Sequence, residues 1–443
     1  MSKLSPPGSA AINPDKSGTI YIGLLGAGTV GGDVARIIEE DSADLSARSG
    51  AKLEIKRVGV RDVAKARGAI AKEAITSDLN SVVDDPQISI VIEVMGGIEP
   101  ARSLILRALE KKKSVVTANK ALLAKHGGEI FAAAKANGVD LYYEAAVAGA
   151  IPIIRPLRES IVGDSVSKVM GIVNGTTNYI LTRMDEESAP YSEVLAEAQR
   201  LGYAEADPTA DVGGIDAAAK IAILASLAFH TQVRDNDVYV EGITNISARD
   251  IEIAKAIDHV IKLLAIAERT KSGKVSVRVY PSLIPRSHPL AAVRGAFNAI
   301  FVEAKSAGEL MFYGRGAGGA PTASAVLGDV VAIARHISFG GVGSRESDYA
   351  DLPIAAISEI STQYLIRLDV ADRPGVLASV AQTFATHKVS IQTVRQSGRG
   401  EDAELVIMTH AAGDGDLAAT VKELSSLEIV KSVESVIRVE GAH

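Results

Sequence analysis

Residues 19–40, TIYIGLLGAGTVGGDVARIIEE, leave the chain few folds to choose from. A short apolar run, a glycine turn spaced G-A-G-T-V-G, and a segment with apolar positions at Val30, Val34, Ile37 and Ile38 read as strand, tight turn and helix in one stretch. Gly26 permits the turn, Gly28 lets the backbone approach a pyrophosphate, and Gly31 lets helix and strand pack closely. With Thr29 and Val30 between them, these positions form a dinucleotide-binding turn, its phosphate at the helix N-terminus.

The texture then alternates. KLEIKRVGVR, ISIVIEVMGG, SVVTANK and GVDLYYEAAV read as strands, with EPARSLILRALEKK and KALLAKHGGEIFAAAKANG as helices, the pattern of a parallel, doubly wound α/β sheet. A Rossmann-type dinucleotide-binding domain is expected over 19–148, behind a flexible tail at 1–18. From 149 to 318 the pattern is mixed, which predicts an α+β substrate-binding and dimerisation domain on an open sheet. A glycine-rich loop then leads into a long apolar helix, 319–340, expected to return to the first domain. A Gly/Ser/Asp-rich linker occupies 341–354. Residues 355–443 run strand, helix, strand, strand, helix, strand, the order of a ferredoxin-like unit.

Composition narrows the function. The chain has 54 acidic against 47 basic residues, net −7, and no basic stripe; Lys111 to Lys113 is the longest positive run and reads as a solvated helix end. Nucleic acid is not an expected partner. No apolar run approaches the roughly 18 residues of a membrane span, and the cytoplasm is the expected location. There is no cysteine, so thiol nucleophiles and zinc–thiolate sites are excluded. A nucleotide-dependent enzyme without a thiol is expected to work between alcohol and carbonyl, which needs only a placed proton donor beside the hydride path. The ribose reader is expected at Arg61 and Asp62, after the second strand. An arginine there tolerates the 2′-phosphate of NADP and an acid favours NAD; Arg61 comes first and tilts the reading to NADP, with NAD left open.

Lysine is the better proton-donor candidate, since the eight histidines show no pairing with acids along the sequence. Lys120 sits at the C-terminal end of a predicted strand, where such sheets bind ligands. Lys220 lies one helical turn after Asp216 in DVGGIDAAAKIAILASLAFH, a run otherwise made of Ala, Ile, Leu, Val and Gly. An exposed pair of this kind is worth only ~0.2–0.5 kcal/mol. On so apolar a helix it is partly desolvated and costly unless it has further partners. A cleft holding a charged substrate supplies them, and Glu205, Asp207 and Asp211 just upstream suit a substrate that carries an ammonium group.

Together these residues resemble the homoserine dehydrogenase family. GLLGAGTVGG, VIEVMGG, VVTANKALLA, YYEAAVAGAIPII, GIVNGTTNYIL, GYAEADPTADVGGIDAAAKIAILA and YGRGAGGAPTASAVLGD look like its blocks in its order, over nearly the whole chain after the tail. The resemblance implies reduction of L-aspartate 4-semialdehyde to L-homoserine with NAD(P)H, on the route to threonine, isoleucine and methionine. Lys220 would be the acid–base lysine and Lys120 the second lysine. Glu205 and Asp216 would hold the substrate, with Thr176, Tyr203 and Asp211 close by. Gly202 and Gly318 fall on backbone positions that touch the cofactor, and Glu144, Val147, Gly149 and Ile151 on a site where mostly backbone oxygens bind a sodium ion. The C-terminal stretch resembles an ACT domain, with DRPGVLA at the strand-to-helix turn; Asp372, Gly375, Val376 and Leu377 would then meet an amino-acid effector, threonine being expected. A homodimer or homotetramer is implied. Two rivals are a phosphoglycerate-dehydrogenase-like enzyme, whose fingerprint would follow a substantial N-terminal segment, and a non-catalytic amino-acid sensor on a nucleotide-binding scaffold.

Overall fold

The computed structural model describes residues 18–65, 69–346, 350–398 and 403–441. The expected tail lies outside them apart from Gly18, as do residues 347–349 of the linker. Two compact units divide the chain: Met1–Ser165, Ser226–Asp235 and Gly314–Ala350 in one, Val166–Ala225, Asn236–Tyr313 and Asp351–His443 in the other. Among the described residues no helix is long and apolar enough to cross a membrane.

Among the described residues the first unit is built on six strands: β1 (Thr19–Leu25), β2 (Lys52–Gly59), β3 (Ile75–Thr76), β4 (Ile88–Glu93), β5 (Ser114–Thr117) and β6 (Leu141–Tyr142). They pair in the order β3-β2-β1-β4-β5-β6, all parallel. This is the doubly wound arrangement, in which the order reverses between β1 and β4 and leaves a crevice at their carboxyl ends. The central strands β1 and β4 are near-continuous apolar runs because both faces are covered, whereas β2 carries charges among its apolar residues. Ile20, Ile22 and Leu24 of β1 share a core with Val34 and Ile38 of helix Thr29–Glu40, and with Ala323, Val326, Val330 and Ile333 of helix Gly319–Phe339.

Two sequence expectations are corrected here. The strand read over GVDLYYEAAV pairs only at Leu141–Tyr142 and then gives way to a 3-10 turn at Glu144–Ala146. Lys113 is not a solvated end: it is 4% exposed, and its Nζ donates to the carbonyls of Ile88 (2.6 Å) and Asp85 (2.5 Å). Burial lowers its ammonium to about 8.

The linker is fastened rather than loose where it is described. Gly343 N–H donates to Asp140 Oδ1 (2.7 Å), whose Oδ2 meets His336 Nδ1 (2.7 Å), and Arg158 pairs with Glu346 at 3.1 Å.

Among the described residues the second unit holds an eleven-stranded sheet. Its members are β7 (Val166–Ile172), β8 (Tyr239–Val240), β9 (His259–Arg269), β10 (Val275–Pro285), β11 (Phe297–Ala304), β12 (Gly308–Arg315), β13 (Ser361–Val370), β14 (Ile391–Ser397), β15 (Ala403–Thr409), β16 (Ala412–Gly413) and β17 (Val430–Val439). The path runs β12-β11-β7-β9-β10-β17-β13-β15-β14, with β8 on β10 and β16 on β13. The C-terminal residues have the expected ferredoxin-like order, with helices Val376–Thr386 and Asp414–Leu424 and a core of Tyr364, Ile366, Leu368, Val380, Phe384 and Ile407. Their sheet is not separate. β17 pairs in parallel with β10 through Ser282↔Arg438 and Leu283↔Val439, so one sheet runs through both parts.

Charge locks this seam. Arg278, 2% exposed, reaches Glu440 at 3.1 Å, Glu268 at 2.8 Å and the Tyr280 hydroxyl at 2.6 Å. The Tyr280 hydroxyl in turn donates to Glu440 (2.6 Å), and Lys168 approaches the other Glu440 oxygen at 3.2 Å. Alongside, Arg438 pairs with Glu241 and Asp414, each at 2.7 Å, and lies 4.6 Å from the Tyr280 ring centroid.

Candidate active site

Two of the fingerprint glycines, Gly26 and Gly31, sit where their lack of a side chain is required. Gly26 has φ +99°, and a Cβ there would lie 2.9 Å from the Val94 carbonyl oxygen. One at Gly31 would lie 2.1 Å from the Gly26 carbonyl, while at Gly28 nothing stands within 4 Å. Helix Thr29–Glu40 begins at Gly28 with no side-chain cap, so its first N–H groups stay available to an anion. A second uncapped N-terminus meets it: helix Gly319–Phe339 starts at Gly318 (φ +123°), and a Cβ on Gly319 would touch Asp33 and Thr29. This cradle, which added side chains would fill, fits a dinucleotide pyrophosphate. Arg61 and Asp62 are exposed just after β2, with Asp62 Oδ1 accepting from Ala64 N–H (2.9 Å).

At the carboxyl end of β4, Glu93 is fully buried. It accepts from the N–H groups of Met95 (2.8 Å) and Gly96 (3.1 Å) and from the Thr117 hydroxyl (2.7 Å), which fixes the VMGG loop over the crevice edge. Asn119 donates to Gly97 O (2.6 Å) and caps helix Lys120–Asn137 at Leu122. Lys120 is therefore the half-buried first residue of a capped helix following β5.

Glu144, Val147, Gly149 and Ile151 lie on one buried turn of the same unit, with Ala148 and Gly149 both left-handed (φ +55° and +56°). The Glu144 carboxylate is occupied: it accepts from the N–H groups of Ile153 (2.6 Å), Ile154 (2.8 Å) and Arg155 (3.0 Å). Among the described residues no donor reaches the carbonyl oxygens of Val147, Gly149 and Ile151. Buried carbonyl oxygens in such a turn suit a hard cation. Asp329 underlies the turn, accepting from Glu144 N–H (2.8 Å) and pairing with Arg155; burial raises its carboxyl to about 7 against the pull of Arg155.

The charged pair that the sequence singles out is in the second unit, on helix Ile215–Phe229. Neither member reaches bulk water freely: the side chains of Lys220 and Asp216 are 10% and 9% exposed. Lys220 Nζ donates to Asp216 Oδ2 and to the Val173 carbonyl, both at 2.7 Å. Asn174 Nδ2 donates to the same Asp216 oxygen (2.9 Å) and to Asp211 Oδ1 (2.7 Å). The Thr176 hydroxyl lies 2.6 Å from the Tyr203 carbonyl and 3.2 Å from Asp211 Oδ2. Thus Thr176, Tyr203, Asp211, Asp216 and Lys220 form one cluster around the start of helix Gly175–Glu187.

The acidic turn borders it. Gly202 is left-handed (φ +78°), the exposed Tyr203 ring stacks on Tyr179 at 4.5 Å, and Gln199 holds the Glu205 carbonyl at 3.1 Å. The Glu205 carboxylate is exposed and, among the described residues, is engaged by none. Asp207 accepts from the N–H and hydroxyl of Thr209, which lowers its carboxyl below the usual range. Sequence reasoning missed Asn174, Val173 and Glu93. Asn174 carried a signal, an asparagine one residue before a helix; a carbonyl and a buried strand-end acid carried none.

Of the C-terminal candidates, Gly375 is left-handed (φ +94°) and opens helix Val376–Thr386 without a side-chain cap. Leu377 is exposed, Val376 is buried, and Asp372 accepts from Gln396 at 3.2 Å.

Family models described as homoserine dehydrogenase, its NAD binding domain and the ACT domain match residues 152–331, 26–144 and 364–429. A homoserine dehydrogenase of Corynebacterium glutamicum is 54% identical over 99% of this chain and 100% of its own length. One of Mycobacterium tuberculosis is 55% identical over 97% and 99%. The crystal structure of a homoserine dehydrogenase from Thiobacillus denitrificans superposes with a TM-score of 0.91 at 40% identity, covering 95% of this chain and 98% of that one. A hyperthermophilic archaeal homoserine dehydrogenase in complex with NADPH gives 0.59 at 29% identity, covering 71% of this chain and 97% of that one. With two of these models spanning most of the sequence and relatives more than half identical over almost all of it, the chain belongs to the homoserine dehydrogenase family, oxidoreductases that carry an NAD-binding domain.

Proposed function

We propose that Lys220 carries the proton in the interconversion of L-homoserine and L-aspartate 4-semialdehyde, with NADP as the preferred nucleotide and NAD as the alternative. The observation that carries the reading is an ammonium held off bulk water by one carboxylate and one carbonyl, beside an acidic rim. Held at the fingerprint turn, NADPH would supply a hydride to the aldehyde carbon. As charge develops on the aldehyde oxygen, Lys220 gives it a proton, directly or through a water, and takes it back in the reverse direction. Lys120 stabilises the same charge electrostatically. Glu205 and Asp216 hold the substrate amine, with Asp211, Thr176 and Tyr203 lining the site. Gly26, Gly28, Thr29, Val30, Gly31, Arg61, Gly202 and Gly318 are the proposed nucleotide contacts.

A sodium ion would be held by main-chain oxygens at Glu144, Val147, Gly149 and Ile151; the occupied Glu144 carboxylate supports carbonyl rather than carboxylate ligation. In this reading the C-terminal domain senses threonine through Asp372, Gly375, Val376 and Leu377, the open helix N-terminus receiving its carboxylate. The product feeds threonine, isoleucine and methionine synthesis in the cytoplasm. A homodimer or homotetramer is favoured by β12 and β14, the strands at the two ends of the long sheet, whose outer edges invite pairing.

Initial rates of nucleotide reduction at 340 nm with homoserine and NADP or NAD, with and without threonine, test this reading. Expected are turnover with a lower KM for NADP and inhibition by threonine; no reduction with either nucleotide overturns the reaction. Glu205→Gln is expected to raise the KM for homoserine about tenfold with kcat retained, the scale of one charge-assisted hydrogen bond. An unchanged KM removes Glu205 from amine binding.

A further inference from the structure

We infer that Asn174 is the positioning residue that sets the Asp211–Asp216–Lys220 cluster for proton transfer, an inference that rests on the proposed role of Lys220. A carboxamide has two N–H donors and one oxygen with two lone pairs. In Asn174, 5% exposed, all are used. The two hydrogens of Nδ2 go to Asp211 Oδ1 and Asp216 Oδ2, at 2.7 and 2.9 Å. The oxygen accepts from the N–H of Thr177 (2.9 Å) and its hydroxyl (3.0 Å), capping helix Gly175–Glu187. The residue before it lends its carbonyl to Lys220. Positions 173 and 174 therefore fix the ammonium both directly and through Asp216.

The two carboxylates bound to one nitrogen have like charge in a half-buried site. Left to themselves, such a pair retains a proton to higher pH, because both cannot ionise freely. Two N–H donors aimed one at each offset that like charge and hold in place Asp216 Oδ2, the oxygen to which both Asn174 and Lys220 donate. The groups facing Asn174 are Asp211 from helix Thr209–Val212, Asp216 and Lys220 from helix Ile215–Phe229, Thr176 and Thr177 from the capped helix, and the Tyr203 carbonyl through Thr176. Without the donors the two carboxylates would repel across the site, and Asp216 would lose the placement in which it meets Lys220.

The cap and the bridge can be separated. Asparagine, aspartate and serine cap helices about equally well. Asn174→Asp keeps the shape and the capping oxygen but replaces two donors with an acceptor; Asn174→Ser keeps the cap and one donor. The experiment is a pH profile of kcat for both variants, with thermal unfolding of each. For Asn174→Asp, kcat is expected to fall about 10²-fold, the low end of what placed proton transfer contributes. The acidic limb should move up by about one pH unit, with Asn174→Ser lying between. A folded Asn174→Asp enzyme with wild-type kcat and an unmoved limb overturns the inference. So does a lowered kcat with an unmoved limb, which is what a purely structural cap would produce. Should Asn174→Asp lack a cooperative unfolding transition, Asn174→Ser decides by the same limb. Lys220→Ala measured alongside separates the two claims: turnover surviving that change refutes the lysine itself, whereas an inactive Lys220→Ala beside normal Asn174 variants refutes only the bridge.

Discussion

Lys220→Ala is expected to lower kcat by about 10³-fold while the Kd for NADPH stays unchanged, within the ~10²–10⁴ that a placed proton carrier contributes. The helix that presents Lys220 is almost wholly apolar and its neighbours Ala217, Ala218, Ile221 and Leu224 are buried, so truncation does not disturb a polar surface. What it removes is the ammonium bonded to Val173 O and Asp216. The fingerprint turn and Lys120 belong to the other compact unit, and a nucleotide held there keeps its contacts. Initial rates give kcat, and quenching or enhancement of NADPH fluorescence gives Kd. A kcat within tenfold of wild type would move the proton to another donor, with Lys120 next to be tested. A loss of both kcat and nucleotide binding would mean that the change had damaged the fold.

Much of this was legible from residue order because the relevant signals are local. A strand such as TIYIGLL, continuous in apolar residues, can only be covered on both faces, and the glycine turn after it has contacts within a few residues of itself. The Asp216–Lys220 pair was conspicuous for the same reason: two charges on an oily helix need an explanation wherever the helix lies. What escaped was decided by distant partners. Lys113 resembles its neighbours Lys111 and Lys112 in sequence, yet it alone is drawn under the sheet to cap carbonyls at 85 and 88. The Glu144 carboxylate is committed to N–H groups nine to eleven residues on, a use that the residues beside it do not announce. His336 meets Asp140 across 196 positions, a separation that no spacing rule reaches. The pairing of β17 with β10 is of this kind too. Two residue pairs join strands whose own patterns are complete without each other, so nothing in either announces the seam.

Glu440→Ala is expected to cost about 3–5 kcal/mol of stability, since it leaves Arg278 buried without its principal counter-charge. Arg278 would retain Glu268, but that carboxylate is 25% exposed and is shared with Lys168 at 3.8 Å. The pH dependence follows with a definite sign. Burial raises the Glu440 carboxyl, but the charges of Arg278 and Lys168 and the hydrogen bonds from Tyr280 and Arg278 outweigh it and hold it at about 2, against an ordinary 4.5. Its folded value is depressed, so its contribution is complete above the ordinary value and is lost as pH falls from there towards 2. The shift corresponds to roughly 3 kcal/mol. Urea unfolding at neutral pH and in steps down to pH 3 should show wild type losing stability over that window, and Glu440→Gln, already destabilised, losing less. Parallel curves for the two proteins would mean that Glu440 is no better ionised in the fold than in the open chain. Pairing Glu440→Leu with Arg278→Met should recover part of the loss seen in either single change, because an apolar seam avoids the uncompensated charge that makes each of them severe. Under the proposed threonine inhibition, recovery of stability together with loss of that inhibition in the double variant would assign the buried charges to communication between the C-terminal domain and the rest of the sheet; recovery of both would leave the shared strands β10 and β17 as the coupling element.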